Sequence, residues 1–226
     1  MTKLDLLNGP TYRSEDSSEQ IEQLIIFIHG LGADGNDLIG LAPYFSEVCP
    51  NAMFIAPNGL EKCDMMPMQA ESGYQWFSLQ NRGEEAMLEG ARIAEPTLNS
   101  FIDQQIEKYE LRENQVALIG FSQGTMMSMF CGTRRKTEIA GIIGFSGQLV
   151  GKEVLKNEIT SYPPILLING DQDELIPIQK QEIAVKALKQ ENISVENHIV
   201  IGLGHSIDLE GIQLAQEFLS KIFAIK

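Results

Sequence analysis

The stretch Val116-Ala117-Leu118-Ile119-Gly120-Phe121-Ser122-Gln123-Gly124 decides how this chain is read. Four apolar residues lead into the pattern Gly-x-Ser-x-Gly, and a helix-like segment comes after it. A strand passing into a helix through this pattern can hold a serine hydroxyl on a sharp turn above the end of a sheet. Glycines stand two residues either side because such a turn brings backbone and neighbouring elements too close for a side chain. The pattern gains weight only if strands and suitable chemical partners lie elsewhere in the chain.

Similar apolar runs occur on both sides of it. Leu24-Ile25-Ile26-Phe27-Ile28 and Ala52-Met53-Phe54-Ile55 precede it. Ile139-Ala140-Gly141-Ile142-Ile143-Gly144-Phe145, Ile165-Leu166-Leu167-Ile168 and His198-Ile199-Val200-Ile201 come later. Each is short and does not alternate with polar residues, as expected of strands buried on both faces. Helix-like segments lie between them, near 36–46, 84–109, 123–134, 178–191 and 206–223. The alternation predicts an α/β fold, a mostly parallel central sheet with helices on both faces. Pro96 should kink the long segment 84–109 or mark its boundary. Residues 4–7 and the polar stretch 8–19 suggest a peripheral strand and loop. With no repeat or linker in the sequence, 1–226 reads as a single domain with its core at about 20–224.

Composition narrows the partners. The chain of 226 residues carries 17 basic against 31 acidic residues, a net charge of −14. That disfavours nucleic acid and anionic membrane surfaces, which select a basic footprint. No apolar run approaches the ~20 residues of a membrane span, so no stable membrane insertion is expected. Cys49, Cys63 and Cys131 lack metal-ligand or redox spacing and read as reduced thiols, which points to the cytoplasm.

A serine hydroxyl needs a base to take its proton and an acid to orient that base. The sequence has three histidines. His198 sits at the start of an apolar run and reads as structural. His205, in Gly202-Leu203-Gly204-His205, lies just beyond the last strand, where catalytic groups of a parallel sheet gather. His29 opens His29-Gly30-Leu31-Gly32 after the first strong strand. A glycine turn there can aim a backbone N–H into the site, pairing Leu31 with Gln123 as oxyanion donors. Candidates for the acid are Asp171, Asp173 and Glu174, all just beyond Ile165–Ile168. Spacing does not choose among them. Ser146, in Gly144-Phe145-Ser146-Gly147, competes with Ser122 but lacks the symmetric glycines.

The segment 58–82 fits the alternation least. It carries Met65, Met66, Met68 and Trp76 among glycine and polar residues. Methionines adapt to irregular apolar shapes, so these four are candidate substrate-binding residues, or else they seal an edge of the core.

Taken together, these segments resemble the phospholipase/carboxylesterase and acyl-protein thioesterase family of the α/β-hydrolase superfamily. The resemblance runs through His29-Gly30-Leu31-Gly32-Ala33-Asp34-Gly35, Gly120–Gly124, Gly170-Asp171-Gln172-Asp173 with Ile176-Pro177, and Gly202–His205. It implies Asp173 as the acid, because the family aspartate precedes a branched aliphatic–proline pair. It thereby implies a Ser122, Asp173, His205 triad, with Leu31 and Gln123 as oxyanion donors. Two positions depart from the family pattern: Thr125 stands where a glycine is common, and Ser78 comes after Trp76-Phe77 where an aspartate is common.

The resemblance implies hydrolysis of carboxylic esters or thioesters, with no metal or organic cofactor required. The substrate would be a small-molecule or lipid acyl ester, or an acylated protein. A peptidase or lactone hydrolase on the same fold is the nearest enzymatic alternative. A non-catalytic hydrolase-like scaffold that binds a ligand or protein is the other. Ser122 excludes a dehalogenase, which uses an aspartate at that position. Oligomeric state is not legible.

Overall fold

The uninterrupted apolar runs become the inner strands of one sheet, because a parallel strand covered on both faces has no polar side to show. A computed structural model describes residues 7–15, 17–18, 20–65 and 73–225. The strands in chain order are β1 (Thr11–Tyr12), β2 (Gln23–Ile28), β3 (Ala52–Ile55), β4 (Glu61–Lys62) and β5 (Tyr74–Gln75). Then come β6 (Val116–Phe121), β7 (Gly141–Phe145), β8 (Ile165–Gly170) and β9 (Val195–Val200). The helices are α1 (Gly35–Ile39), α2 (Ala42–Ser46), α3 (Glu84–Lys108), α4 (Gln123–Gly132), α5 (Leu155–Glu158), α6 (Ile178–Gln190) and α7 (Leu209–Ile222).

Seven of these strands form the main sheet in the order β1-β3-β2-β6-β7-β8-β9, while β4 and β5 make a separate hairpin. Only β1 runs antiparallel in the main sheet. Side chains alternate across it. Leu24, Ile26 and Ile28 of β2 face the layer that holds Leu98 of α3, Met127 of α4 and Leu188 of α6. Ile25 and Phe27 face the opposite layer, with Leu38 of α1, Phe45 of α2 and Phe218 of α7. This is the two-sided α/β sheet that the sequence predicts. No helix among the described residues is long and apolar enough to cross a membrane.

Several local expectations change. The segment 36–46 is two short helices, because the chain breaks at Gly40-Leu41. Helix α3 runs through Pro96 as one element of 25 residues, so Pro96 marks no boundary. Pro96 is exposed and removes the hydrogen bond to the Arg92 carbonyl on the solvent side, where water has access to that carbonyl. Meanwhile Ala94 and Leu98 hold that turn against the core. Strand β9 starts at Val195, before the apolar run, because it lies at the sheet edge and alternates buried with exposed positions. The peripheral strand is Thr11–Tyr12, and residues 4–6 lie outside the described residues.

What matters for chemistry is the sheet's carboxyl edge. Leu31 lies beyond β2, Ser122 beyond β6, Asp173 beyond β8 and His205 beyond β9. All four strands are parallel, so all four residues leave the sheet at the same end.

Candidate active site

Ser122 sits at φ 53° and ψ −115°, a positive-φ conformation that a residue with a side chain adopts only under constraint. The constraint comes from both sides. Its N–H donates to the Phe145 carbonyl at 2.9 Å, tying the turn to β7. A Cβ on Gly120 would stand 2.5 Å from the Gly124 carbonyl carbon and from Thr125 N, and one on Gly124 only 1.7 Å from the Ile28 oxygen. The glycine pattern is thus a requirement of how closely α4 crosses the ends of β2 and β6. Thr125 adds a lock of its own. Its hydroxyl lies 2.8 Å from both the Gly120 and Phe145 carbonyl oxygens and shares its one proton between them.

Of the three competing carboxylates, Asp173 meets the histidine. His205 Nδ1 lies 2.8 Å from Asp173 Oδ2. The other oxygen, Oδ1, accepts the N–H groups of Leu175 at 3.0 Å and Ile176 at 2.8 Å. With its side chain fully buried, Asp173 has every bond it makes directed by the fold. Asp171 does different work: its Oδ1 accepts from Gly202 N at 2.6 Å and so holds the loop that carries His205. Gln172 N donates to Leu203 O in the same interface, and Gly170 is packed so tightly there that a Cβ would stand 2.0 Å from the Leu203 oxygen. Glu174 is exposed. Asn169 Nδ2 donates to the Ile176 carbonyl at 2.8 Å and closes the acid loop from beneath.

The turn after β2 passes against the serine. A Cβ on Gly30 would stand 3.3 Å from Ser122 Cβ. Among the described residues the Leu31 N–H has no hydrogen-bond acceptor. Gln123 opens α4, where the first N–H groups of a helix have no partner within it. His29 fixes this turn from below. It is 1% exposed; Nδ1 donates to Gly30 O at 2.7 Å, and Nε2 accepts from Gly59 N at 2.8 Å. These two bonds define a neutral imidazole with its proton on Nδ1. Burial pushes the His29 pKa down, against the Gly30 carbonyl and the charges of Asp34 and Asp37, which push it up.

The Gln123 side chain extends the same network. Oε1 accepts from Trp76 N at 3.0 Å and Nε2 donates to Phe77 O at 2.7 Å. Trp76 Nε1 donates to His29 O at 2.9 Å, with the two rings 5.4 Å apart. Trp76 is 1% exposed, so it supports the site from within the core instead of walling a pocket. Met65 is exposed and also lies outside the pocket lining. Met66 and Met68 lie outside the described residues.

Ser122 and His205 open together onto a cavity of about 360 Å³. Leu31, Leu79, Met87, Met126 and Ile176 give it apolar walls, with Asp37, Arg82, Glu84 and Lys180 among its charged lining residues. Methionines do line it, but they are Met87 of α3 and Met126 of α4. Helical spacing makes those two read as core, and nothing else in the sequence marks them. Ser146 is buried at 1% exposure and is absent from the lining, which leaves it no route to a substrate. His198 is half-exposed on the edge strand β9. Among the described residues no group of three or more His, Cys, Asp or Glu side chains converges as a metal site would.

Known proteins are similar to this chain over most of its length. Residues 13–223 match the phospholipase/carboxylesterase family. The solved structure of esterase PE8 is 37% identical, covers 96% of this chain and 99% of its own, and superposes with a TM-score of 0.89. Acyl-protein thioesterase 1 of Aspergillus fumigatus is 30% identical over 224 residues, covering 88% of this chain and 87% of its own. Esterase YpfH of Escherichia coli is 27% identical over 198 residues, covering 88% of this chain and 82% of its own. With a two-sided parallel sheet, a serine on a strained strand-to-helix turn and these relatives, the chain is a serine hydrolase that belongs to the phospholipase/carboxylesterase family of the α/β-hydrolase fold.

Proposed function

We propose that this chain, acting as one hydrolase domain, cleaves carboxylic acyl esters and thioesters through an acyl-enzyme formed on Ser122. The observation that carries the reading is the 2.8 Å bond from His205 Nδ1 to the buried Asp173 Oδ2, with His205 and Ser122 lining one cavity. A carboxylate can only accept there, so Nδ1 keeps its proton and Nε2 is the basic nitrogen. Nε2 takes the Ser122 proton as the oxygen attacks the acyl carbonyl. The negative charge that develops on the carbonyl oxygen is met by the N–H groups of Leu31 and Gln123, and one such donor is worth roughly 10²–10³ in rate. The His205 imidazolium, stabilised by Asp173, then protonates the departing alcohol or thiol. Water, deprotonated by the same Nε2, releases the acid and restores Ser122.

Relatives named both esterase and acyl-protein thioesterase support placing oxygen and sulfur esters in one substrate class. A fluorophosphonate probe followed by peptide mapping tests the assignment. Labelling is expected at Ser122. Labelling at Ser146, or none in folded protein, overturns it.

A further inference from the structure

The Ser122 cavity adjoins two others, and the walls they share divide it into two ends. On one side an open cavity of about 290 Å³ shares Asp37, Phe121 and His205 with it. On the other side a cavity of about 30 Å³ shares Glu84, Met87, Gln148 and Lys180, and no member of the proposed triad. Met87 and Gln148 stand in contact at this second boundary, with Gln148 Nε2 donating to Met87 Sδ at 3.3 Å.

Chemistry assigns the two ends. The leaving alcohol or thiol takes its proton from His205, so it belongs at the end whose wall includes His205. The acyl chain then runs the other way, along Leu79, Met126 and Ile176, whose apolar side chains suit a hydrocarbon. Its path ends where Met87 meets Gln148. Met87 is 6% exposed and packed into the core layer of α3, so it has little room to swing aside. A thioether is a weak acceptor, so packing holds the pair more than its hydrogen bond does. At about 360 Å³ for both ends together, the cavity is near the small end of ligand pockets.

We propose that the Met87–Gln148 pair is the end wall of the acyl subsite and limits this hydrolase to short acyl chains. The inference rests on the proposed esterase activity. Truncating either partner joins the main cavity to the small one beyond and makes room for further methylenes, each worth about fourfold in binding when buried.

The test is the kcat/KM profile over straight-chain p-nitrophenyl esters from acetate to dodecanoate, each protein normalised to its own acetate value. Wild-type protein should peak at a short chain. Gln148→Ala and Met87→Ala should each move the peak to longer chains, with about a fourfold gain per added methylene until the enlarged pocket is full. Gln148 is only half-buried, so its variant keeps the test open if Met87→Ala fails to fold. A wild-type peak at dodecanoate, or an unshifted profile in folded Gln148→Ala that still takes the fluorophosphonate label, overturns the end wall alone. Wild-type protein that hydrolyses none of the esters overturns it together with the esterase reading.

Discussion

Gly147 vacates the space that Thr125 fills: a Cβ on Gly147 would stand 2.3 Å from both Cβ and Cγ2 of Thr125. Gly144 does the same on β7, where a Cβ would stand 2.4 Å from Thr125 Cγ2. The threonine at the start of α4 is therefore matched by glycines across the gap, and its hydroxyl ties α4 to the ends of both β6 and β7. Gly147→Ala should lower the unfolding free energy by about 1–3 kcal/mol through overpacking. Thr125→Gly alone should cost about 1 kcal/mol or more, from helix propensity and the lost hydrogen bond. In the double variant the Gly147→Ala penalty should largely disappear, a coupling that urea denaturation of all four proteins measures. An equal penalty in both backgrounds would show that the two positions do not compete for space.

Two aspartates two residues apart should respond very differently to the same substitution. Asp173→Asn puts an amide opposite His205 Nδ1–H or opposite the Leu175 and Ile176 N–H groups, so at least one bonding set is lost. Loss of about 10⁴-fold in kcat is expected from the wrong histidine tautomer. Asp171→Asn keeps an amide oxygen able to accept from Gly202 N, so the His205 loop stays in place and kcat changes little. Steady-state rates on one short-chain ester decide it, and the reverse order would move the acid role to Asp171.

The three cysteines are buried. Burial pushes the Cys49 thiol up to about 12 and also raises Cys131, in whose case Glu95 adds to the rise. A thiol is nucleophilic only as thiolate, so Cys49 and Cys131 of native protein at neutral pH should react negligibly with an aromatic disulfide reagent, while unfolded protein titrates all three cysteines. Fast native reaction at Cys49 would contradict its burial.

Legibility in this protein depends on the range of the interactions concerned. Inner strands such as Ile25–Phe27 and Ile142–Ile143 are readable because two-sided burial writes itself into consecutive apolar residues. The edge is not: β1 is two residues paired with β3, and the front of β9 alternates. The meeting of Ser122, His205 and Leu31 at the sheet's carboxyl edge is readable from strand-end position with glycine, while singling out Asp173 as the partner of His205 needs family resemblance. The reason for that choice is nonetheless local, since one oxygen accepts N–H groups two and three residues ahead. What no short window can reveal is the frame beneath the site. His29 meets Gly59, and Trp76 meets both His29 and Gln123, across 30 to 47 residues of chain. In sequence Trp76 reads as a candidate substrate wall because its partners are invisible there.

His29 should leave a mark on the pH dependence of stability. Protonation puts a second N–H on the ring, opposite the Gly59 N–H that Nε2 now accepts, within a buried site. The folded pKa is therefore below the unfolded value near 6.5. The native state binds fewer protons than the unfolded state between those two values, so stability rises with pH across that window. The contribution is fully present above about 6.5 and is lost as pH falls through the lowered folded value. His29→Asn removes this titration while every carboxylate remains. Its stability difference from wild type, followed by urea denaturation, should shrink as pH drops below about 6.5. A difference that stays constant with pH would mean His29 is not held neutral by the fold.

Ser122 carries the strain that its position demands, and two substitutions separate strain from chemistry. Ser122→Ala and Ser122→Gly both delete the hydroxyl, so both should lose about 10⁶-fold in kcat. Their stabilities should part. Alanine keeps a Cβ at φ 53°, where a side chain costs of order 1–3 kcal/mol. Glycine occupies that conformation without the clash, although it gives the unfolded chain more freedom. The Ser122 hydroxyl makes no hydrogen bond that either variant would forfeit among the described residues. Ser122→Gly should therefore unfold at higher urea than Ser122→Ala, by about 1 kcal/mol after the entropic offset. Such a result would show that the turn is kept strained by Gly120, Gly124 and the Phe145 carbonyl for the sake of the hydroxyl it presents. If alanine proved the more stable, the tight packing around the turn would be relieving the strain at Ser122 and not imposing it.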